Sequence, residues 1–444
     1  METIGTVHVQ APASKSMSHR AVIAAALASG SSLLHNVLDS DDLTRTMGCL
    51  TACGATFEFK GRDLKVVGVA GLPRGGAVEP ADLYMHESGT TCRLMTAVAA
   101  AGQGLFRVHG AARLHVRPIG ALARALASQG VEFTWQGREG YPPLVMHSPG
   151  LAGGEISVEL DESSQYLSGL LLAAACARSE TVINVGGTKV VSWPYVALTL
   201  QTLEDFGISF SVERLAGNRW SETAWKDVTG MAPGTVRFRV RPGHYASGER
   251  RVEGDWSNAS YFLAAGAVGP RPVVVSGLRR DSLQGDRSIL GILERMGARI
   301  SWQDDAVTVA APESGRLRGL EVDMGDCPDI VPTVAAAACF ADGPTLISGV
   351  AHLRIKECDR LHVMVTELGK MGVKATELPD AMIIEGMETL AEPMHGAEIA
   401  TYNDHRIAMS FAVAGLVTPG VIIADTACVA KSFPDFWERF AQLY

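Results

Sequence analysis

Six times along the chain a polar start runs into a stretch of small apolar residues, which ends near Gly or Ser and gives way to β-branched residues. The stretches are SHRAVIAAALASG from Ser18, SGTTCRLMTAVAAAG from Ser88, SSQYLSGLLLAAACARS from Ser163, SNASYFLAAGAVG from Ser257, PDIVPTVAAAACFADG from Pro328 and DHRIAMSFAVAGL from Asp404. Apolar residues at nearly every helical position predict helices buried on nearly every side. The runs that follow predict strands. The starts recur every 70 to 76 residues, except for a step of 94 between Ser163 and Ser257.

A second, more amphipathic helix follows in at least five copies and stops at a glycine before another strand. The segments are TACGATFEF, ASQGVEFTW, EDFGISFSV, ERMGARISW and GKMGVKATE, and the glycines are Gly54, Gly130, Gly207, Gly297 and Gly372. Each fits a helix C-cap, where a left-handed backbone excludes most side chains. Both series have their longest step between copies three and four, so three units plus three is the natural division of an α/β chain. A sixth glycine would fall past Tyr444. The last unit is therefore expected to stop after its second helix, FWERFAQLY, with an N-terminal strand around Ile4–Val9 completing it in space.

A length of 444 residues suggests two or three domains. Hydrophobic residues at 47% and charged residues at 20% exclude a disordered chain. A formal charge of -9 argues against nucleic acid, yet leaves room for an anionic small molecule in a local basic cleft. The eight cysteines form no CxxC pair and sit in apolar surroundings, which suits buried thiols in a reducing cytoplasm. METIGTVHVQ lacks the features of a signal peptide, and no stretch reads as membrane-spanning.

The candidate chemistry lies at the helix starts. Unpaired N–H groups and the dipole make a helix N-terminus an anion site. Ser and Asp there are ordinary caps. Lys15 with Arg20, and His405 with Arg406, are not, because cations at this end oppose the dipole. That local cost points to an anionic partner, held where the helix starts of two domains converge on one cleft.

At these residues the chain resembles a known family. SKSMSHR (14–20), ESGTTCRL (87–94), RPIG (117–120), SSQYLSGLLL (163–172), VEGDWSNASYFLAA (252–265), LQGD (283–286), PDIVPT (328–333), RIKECDRL (354–361), YNDHRIAM (402–409) and KSFPDFW (431–437) are similar, in order, to EPSP synthase motifs. The resemblance implies a two-domain inside-out α/β barrel of six βαβαββ-like units, three per domain. One domain would be 14–253 and the other 1–13 with 254–444, with crossovers near Pro12–Lys15 and Glu253–Asp255 and the active site in the interdomain cleft. The implied reaction moves the enolpyruvyl group of phosphoenolpyruvate onto the 5-hydroxyl of shikimate 3-phosphate.

Carried over residue by residue, Lys15, Ser16, Arg20, Ser163, Ser164, Gln165, Ser192, Asp329 and Lys356 resemble the shikimate 3-phosphate set. Lys15, Gly89, Arg117, Gln165, Arg360, Arg406 and Lys431 resemble the phosphoenolpyruvate set. Asp329 is the implied base and Glu357 the implied proton carrier at C3, with the division between Glu357 and Lys15 left open. The resemblance calls for no metal and no cofactor, and for no partner beyond the two anionic substrates, neither nucleic acid nor membrane. The chain is expected to be a cytoplasmic monomer.

Glu87 and His352 depart from the family pattern, each standing where Asn is usual, and His19 replaces an Asn in the first motif. Two alternatives stay open. One is a UDP-N-acetylglucosamine enolpyruvyl transferase, although HGAARLHVRPIG lacks the reactive Cys usual there. The other is a paralogue that binds a phosphorylated ligand without turnover.

Overall fold

The computed structural model describes residues 5–389 and 392–444. The six small-residue stretches are helices: α1 (Lys15–Leu27), α2 (Gly89–Ala100), α3 (Gln165–Ala174), α4 (Trp256–Val268), α5 (Val331–Ala338) and α6 (His405–Val417). Every residue of α5 and nearly every residue of α2, α3 and α4 is buried. Small side chains let these helices approach closely. A Cβ at Gly169 of α3 would lie 2.9 Å from Ala97 Cβ and from Arg93 O of α2, so the α2–α3 contact depends on a bare Cα. The five glycines that punctuate the repeat all have φ between +74° and +107°.

The chain divides into two compact units, one comprising residues 15–252 and the other 1–14 with 253–444. In the first unit three open sheets surround buried helices. The second repeat shows the pattern most plainly. Ala81–Tyr84 pairs in parallel with Gln103–His109, which continues antiparallel to Leu144–Pro149 and then Glu132–Trp135. Alternating burial along these strands puts one face on the helices and the other in solvent. Helices inside and sheets outside give an inside-out arrangement whose sheets stay open rather than closing into barrels.

The first strand breaks the expected pattern. Ile4 lies outside the described residues, and the strand Val7–Gln10 does not complete the sixth unit. It pairs in parallel with Val273–Ser276, in register Val7↔Val273, beside α4. Conversely, Glu249–Arg251, which precedes α4 in sequence, pairs with Ser31–His35 beside α1. Each leading strand thus pairs within its own compact unit, although in sequence it stands directly before the first helix of the other. Among the described residues the sixth repeat shows the short parallel pair Glu398–Ile399 and Ile422–Ile423. The last segment packs through aromatic rings: Phe433, Phe436 and Phe440 lie 5.9 to 6.0 Å from the Phe262 ring of α4. Each fully buried ring of this kind contributes about 1.5–3 kcal/mol.

Candidate active site

The expected site residues form two clusters, one in each unit. In the 15–252 unit they gather at the starts of α1, α2 and α3. Lys15 Nζ lies 3.2 Å from Asp42 Oδ2. Arg20, 1% exposed, donates from Nε to Thr199 Oγ1 (2.8 Å), from Nη1 to Ser16 O (2.9 Å) and from Nη2 to Tyr195 O (2.8 Å) and Ser168 Oγ (3.3 Å). These partners are neutral, and burial lowers the Arg20 pKa to about 10 despite the neighbouring Tyr195.

His19 is fully buried, and its Nδ1 meets Thr46 Oγ1 at 2.8 Å. Thr46 continues to Thr91 Oγ1 (2.8 Å), which donates to Ser88 Oγ (2.9 Å), the cap of α2. Burial pushes the His19 imidazole down to about 3, with Lys15 and Arg20 acting the same way against Asp42. A neutral imidazole can therefore stand beside two cations and tie α1 to α2.

Gln165, at the start of α3, accepts from Arg93 Nη1 (3.0 Å) and donates to Thr90 Oγ1 (2.9 Å). Arg93 also stacks over the Tyr166 ring at 5.7 Å. Arg117 Nη1 donates to the main-chain oxygen of Glu87 at 3.2 Å. A Cβ on Gly89 would sit 2.4 Å from the Arg117 guanidinium carbon, so glycine is what lets the cation lie across the start of α2. Ser163 Oγ accepts from Gln165 N (3.2 Å) and Ser164 is the N-cap of α3. Ser192 holds a left-handed backbone, φ 58°, at the head of helix Trp193–Asp205.

The other cluster is built on α5, α6 and helix Arg360–Lys370. Arg360, 1% exposed, meets Asp404 through Nε (2.8 Å) and Nη2 (3.2 Å), Glu357 through Nη2 (2.8 Å) and Asp329 through Nη1 (3.3 Å). Burial works against this charge, yet Asp404, Glu357 and Asp329 hold the pKa well above its ordinary value. Arg406 meets Asp329 Oδ2 (2.7 Å) and O (3.1 Å) and Ser257 Oγ (2.6 Å). Asp329 and Glu357 keep side-chain exposures of 19% and 18% while Asp404 beneath them has none. Two carboxylates thus reach solvent over a buried ion-pair floor. Lys356 follows the turn Ala351–Ile355, directly before Glu357. His352, in that turn, is buried.

Lys431 Nζ donates to Asn403 O at 2.8 Å. Asn403 and Tyr402 have φ 56° and 54°, and Asp404 N closes the turn on Thr401 O at 2.9 Å. Two successive non-glycine residues in this region cost on the order of 1–2 kcal/mol each.

Sequence reasoning passed over several residues of these clusters. Asp42, Asp404 and Ser257 are partners of the expected cations. Asp286, of the LQGD segment, is a buried acid near Asp329. Burial and the Asp329 charge raise its pKa to about 7, against the pull of Arg406. Asp404 and Asp286 lay inside noted motifs, but a polar residue flanking a helix gives no local sign of the arginine it will meet.

The EPSP synthase (3-phosphoshikimate 1-carboxyvinyltransferase) family model matches residues 4–221 and 227–440. A 3-phosphoshikimate 1-carboxyvinyltransferase of Syntrophobacter fumaroxidans is 42% identical over 433 residues, covering 97% of this chain and 96% of the relative. That of Nostoc punctiforme is 39% identical over 438 residues, covering 98% and 96%. A crystal structure of EPSP synthase from Acinetobacter baumannii superposes with a TM-score of 0.76 at 27% identity, covering 99% of this chain and 96% of that one. The chain belongs to the EPSP synthase family.

Proposed function

We propose that this chain transfers the enolpyruvyl group of phosphoenolpyruvate to the 5-hydroxyl of shikimate 3-phosphate, giving 5-enolpyruvylshikimate 3-phosphate and phosphate. The observation that carries this reading is the pair of part-exposed carboxylates, Asp329 and Glu357, both on Arg360, in a chain of this family.

The substrates bring two phosphates and two carboxylates, which need charge-assisted donors. Lys15, Ser16, Arg20, Ser163, Ser164, Gln165, Ser192, Asp329 and Lys356 serve shikimate 3-phosphate. Lys15, Gly89, Arg117, Gln165, Arg360, Arg406 and Lys431 serve phosphoenolpyruvate. Arg406 and Arg360 are now engaged by Asp329. An anion that draws on these guanidiniums loosens their hold on Asp329 and leaves that carboxylate able to accept a proton.

Asp329 takes the 5-hydroxyl proton as the oxygen attacks C2, and Glu357 delivers a proton to C3. The tetrahedral intermediate collapses as C3 returns its proton to Glu357 and the C2–O bond to phosphate breaks. Lys15 carries the charge that builds on the bridging oxygens. No cofactor enters this scheme. Among the described residues no helix is long and apolar enough to cross a membrane, and seven of the eight free cysteines are buried. The buried thiols suit a reducing compartment, and the chain is proposed to act as a cytoplasmic monomer.

Phosphate release tests the reading. The protein with phosphoenolpyruvate and shikimate 3-phosphate is expected to release phosphate, and Asp329→Ala to lose about 1,000-fold in rate. Turnover unchanged in Asp329→Ala overturns the base assignment. Release with UDP-N-acetylglucosamine but not with shikimate 3-phosphate overturns the acceptor.

A further inference from the structure

Helix Arg360–Lys370 ends on a carboxylate that the reaction scheme does not use. Glu367 is fully buried. Its Oε1 accepts from Tyr402 OH at 3.0 Å, and its Oε2 accepts from Ala400 N at 3.0 Å and from Lys370 Nζ at 2.7 Å. One of these donors, Ala400, precedes the turn in which Tyr402 and Asn403 both adopt left-handed backbone, and another, Tyr402, belongs to it. Tyr402 is 47% exposed, so packing of its ring does not account for the unfavourable φ, whereas the hydroxyl anchored on Glu367 does.

The left-handed pair aims the Asn403 carbonyl at Lys431 Nζ, 2.8 Å away, and starts α6 at Asp404. A relaxation of either residue toward negative φ turns the Asn403 peptide and removes one acceptor of Lys431. We propose that Glu367 is a positioning residue for phosphoenolpyruvate binding, which it serves by clamping the Tyr402–Asn403 turn and thereby fixing Lys431. The inference rests on the reading of Lys431 as a phosphoenolpyruvate ligand.

Steady-state kinetics of Glu367→Gln, Tyr402→Phe, Lys431→Ala and the double variant Glu367→Gln with Asn403→Gly test it. Glu367→Gln is expected to raise KM for phosphoenolpyruvate about tenfold while KM for shikimate 3-phosphate stays within about twofold, a split that general loss of folded protein does not produce. Tyr402→Phe, which removes only the hydroxyl that donates to Glu367, gives about a threefold rise in the same constant. Glycine takes left-handed backbone without strain, so adding Asn403→Gly brings the constant back to within about threefold of the parent.

The inference is overturned if Glu367→Gln and Tyr402→Phe leave KM for phosphoenolpyruvate unchanged while Lys431→Ala raises it, or if both substrate constants rise together. If Lys431→Ala leaves that constant unchanged, the ligand reading fails instead. The clamp is then decided by the acetylation rate of Lys431 with an amine-reactive reagent, read by peptide mass spectrometry in the ligand-free protein. An increase of about tenfold in Glu367→Gln supports the clamp, as a lysine freed from its acceptor reacts faster, and an unchanged rate overturns it.

Discussion

Arg20 and Arg360 are each 1% exposed, yet they are held in opposite ways. Arg20 rests on two hydroxyls and two main-chain carbonyls. Arg360 rests on three carboxylates. Around Arg20 the positive charge is not cancelled by a bonded anion, although Lys15 nearby pairs with Asp42. Around Arg360 the charge is more than cancelled. The first environment stores an unmet demand for negative charge, which suits a fixed anion holder. The second keeps its guanidinium occupied and its carboxylates oriented, which suits groups that must exchange protons. Proximity of cations alone does not tell these tasks apart, but the identity of their partners does.

The sharpest way to break the comparison is to remove each guanidinium. Arg360→Met leaves buried Asp404 without the guanidinium that pairs with it and is expected to cost about 4 kcal/mol of stability. Arg20→Met strands only neutral acceptors and is expected to cost about 2 kcal/mol. Denaturant titration of both variants measures the two values, and equal losses would erase the distinction.

Proton linkage sharpens it further. His19, depressed to about 3, stays neutral in the folded state while the unfolded state takes up a proton below pH 6.5. Its contribution is present above that pH and is lost as pH falls toward 3. Asp286, raised to about 7, stays protonated in the folded state while the unfolded state ionises above about pH 4. It therefore costs stability as pH rises from about 4 to 7. His19→Asn is expected to flatten the acid side of the stability profile and Asp286→Asn the neutral side. Parallel profiles for parent and variant would refute the corresponding assignment.

The smallest effect concerns one methyl group. Gly89→Ala places a Cβ against the Arg117 guanidinium, and the flexible side chain yields rather than the helix. KM for phosphoenolpyruvate is expected to rise about tenfold with stability nearly unchanged. An unaltered KM would show that Arg117 does not need its place over the start of α2.

The repeat was legible because burial on all sides leaves an unbroken run of small apolar residues, and because a helix that must stop in left-handed backbone uses Gly54 and its four counterparts. The cations at helix starts were legible for the opposite reason, as they break the rule the dipole imposes. What escaped was set by distant pairing. Nothing local in VHVQ says that Val7 will align with Val273, since a strand chooses its neighbour by the register and face that the whole sheet offers. Asp42, Asp286 and Glu367 escaped in the same way. A carboxylate on a helix reads as solvated until the segment that covers it is known.

The placement of the two leading strands bears on synthesis. Residues 15–252 form a continuous stretch, and that half can finish folding as soon as Val252 is free. The opposite half owns the strand Val7–Gln10, made before that stretch, but must wait for Val273 before that strand has its parallel neighbour. Until then an apolar edge, Val7 and Val9, stays uncovered in the nascent chain. A nascent polypeptide paused between those two points is the species most exposed to mispairing, and the one on which a chaperone has the most to do.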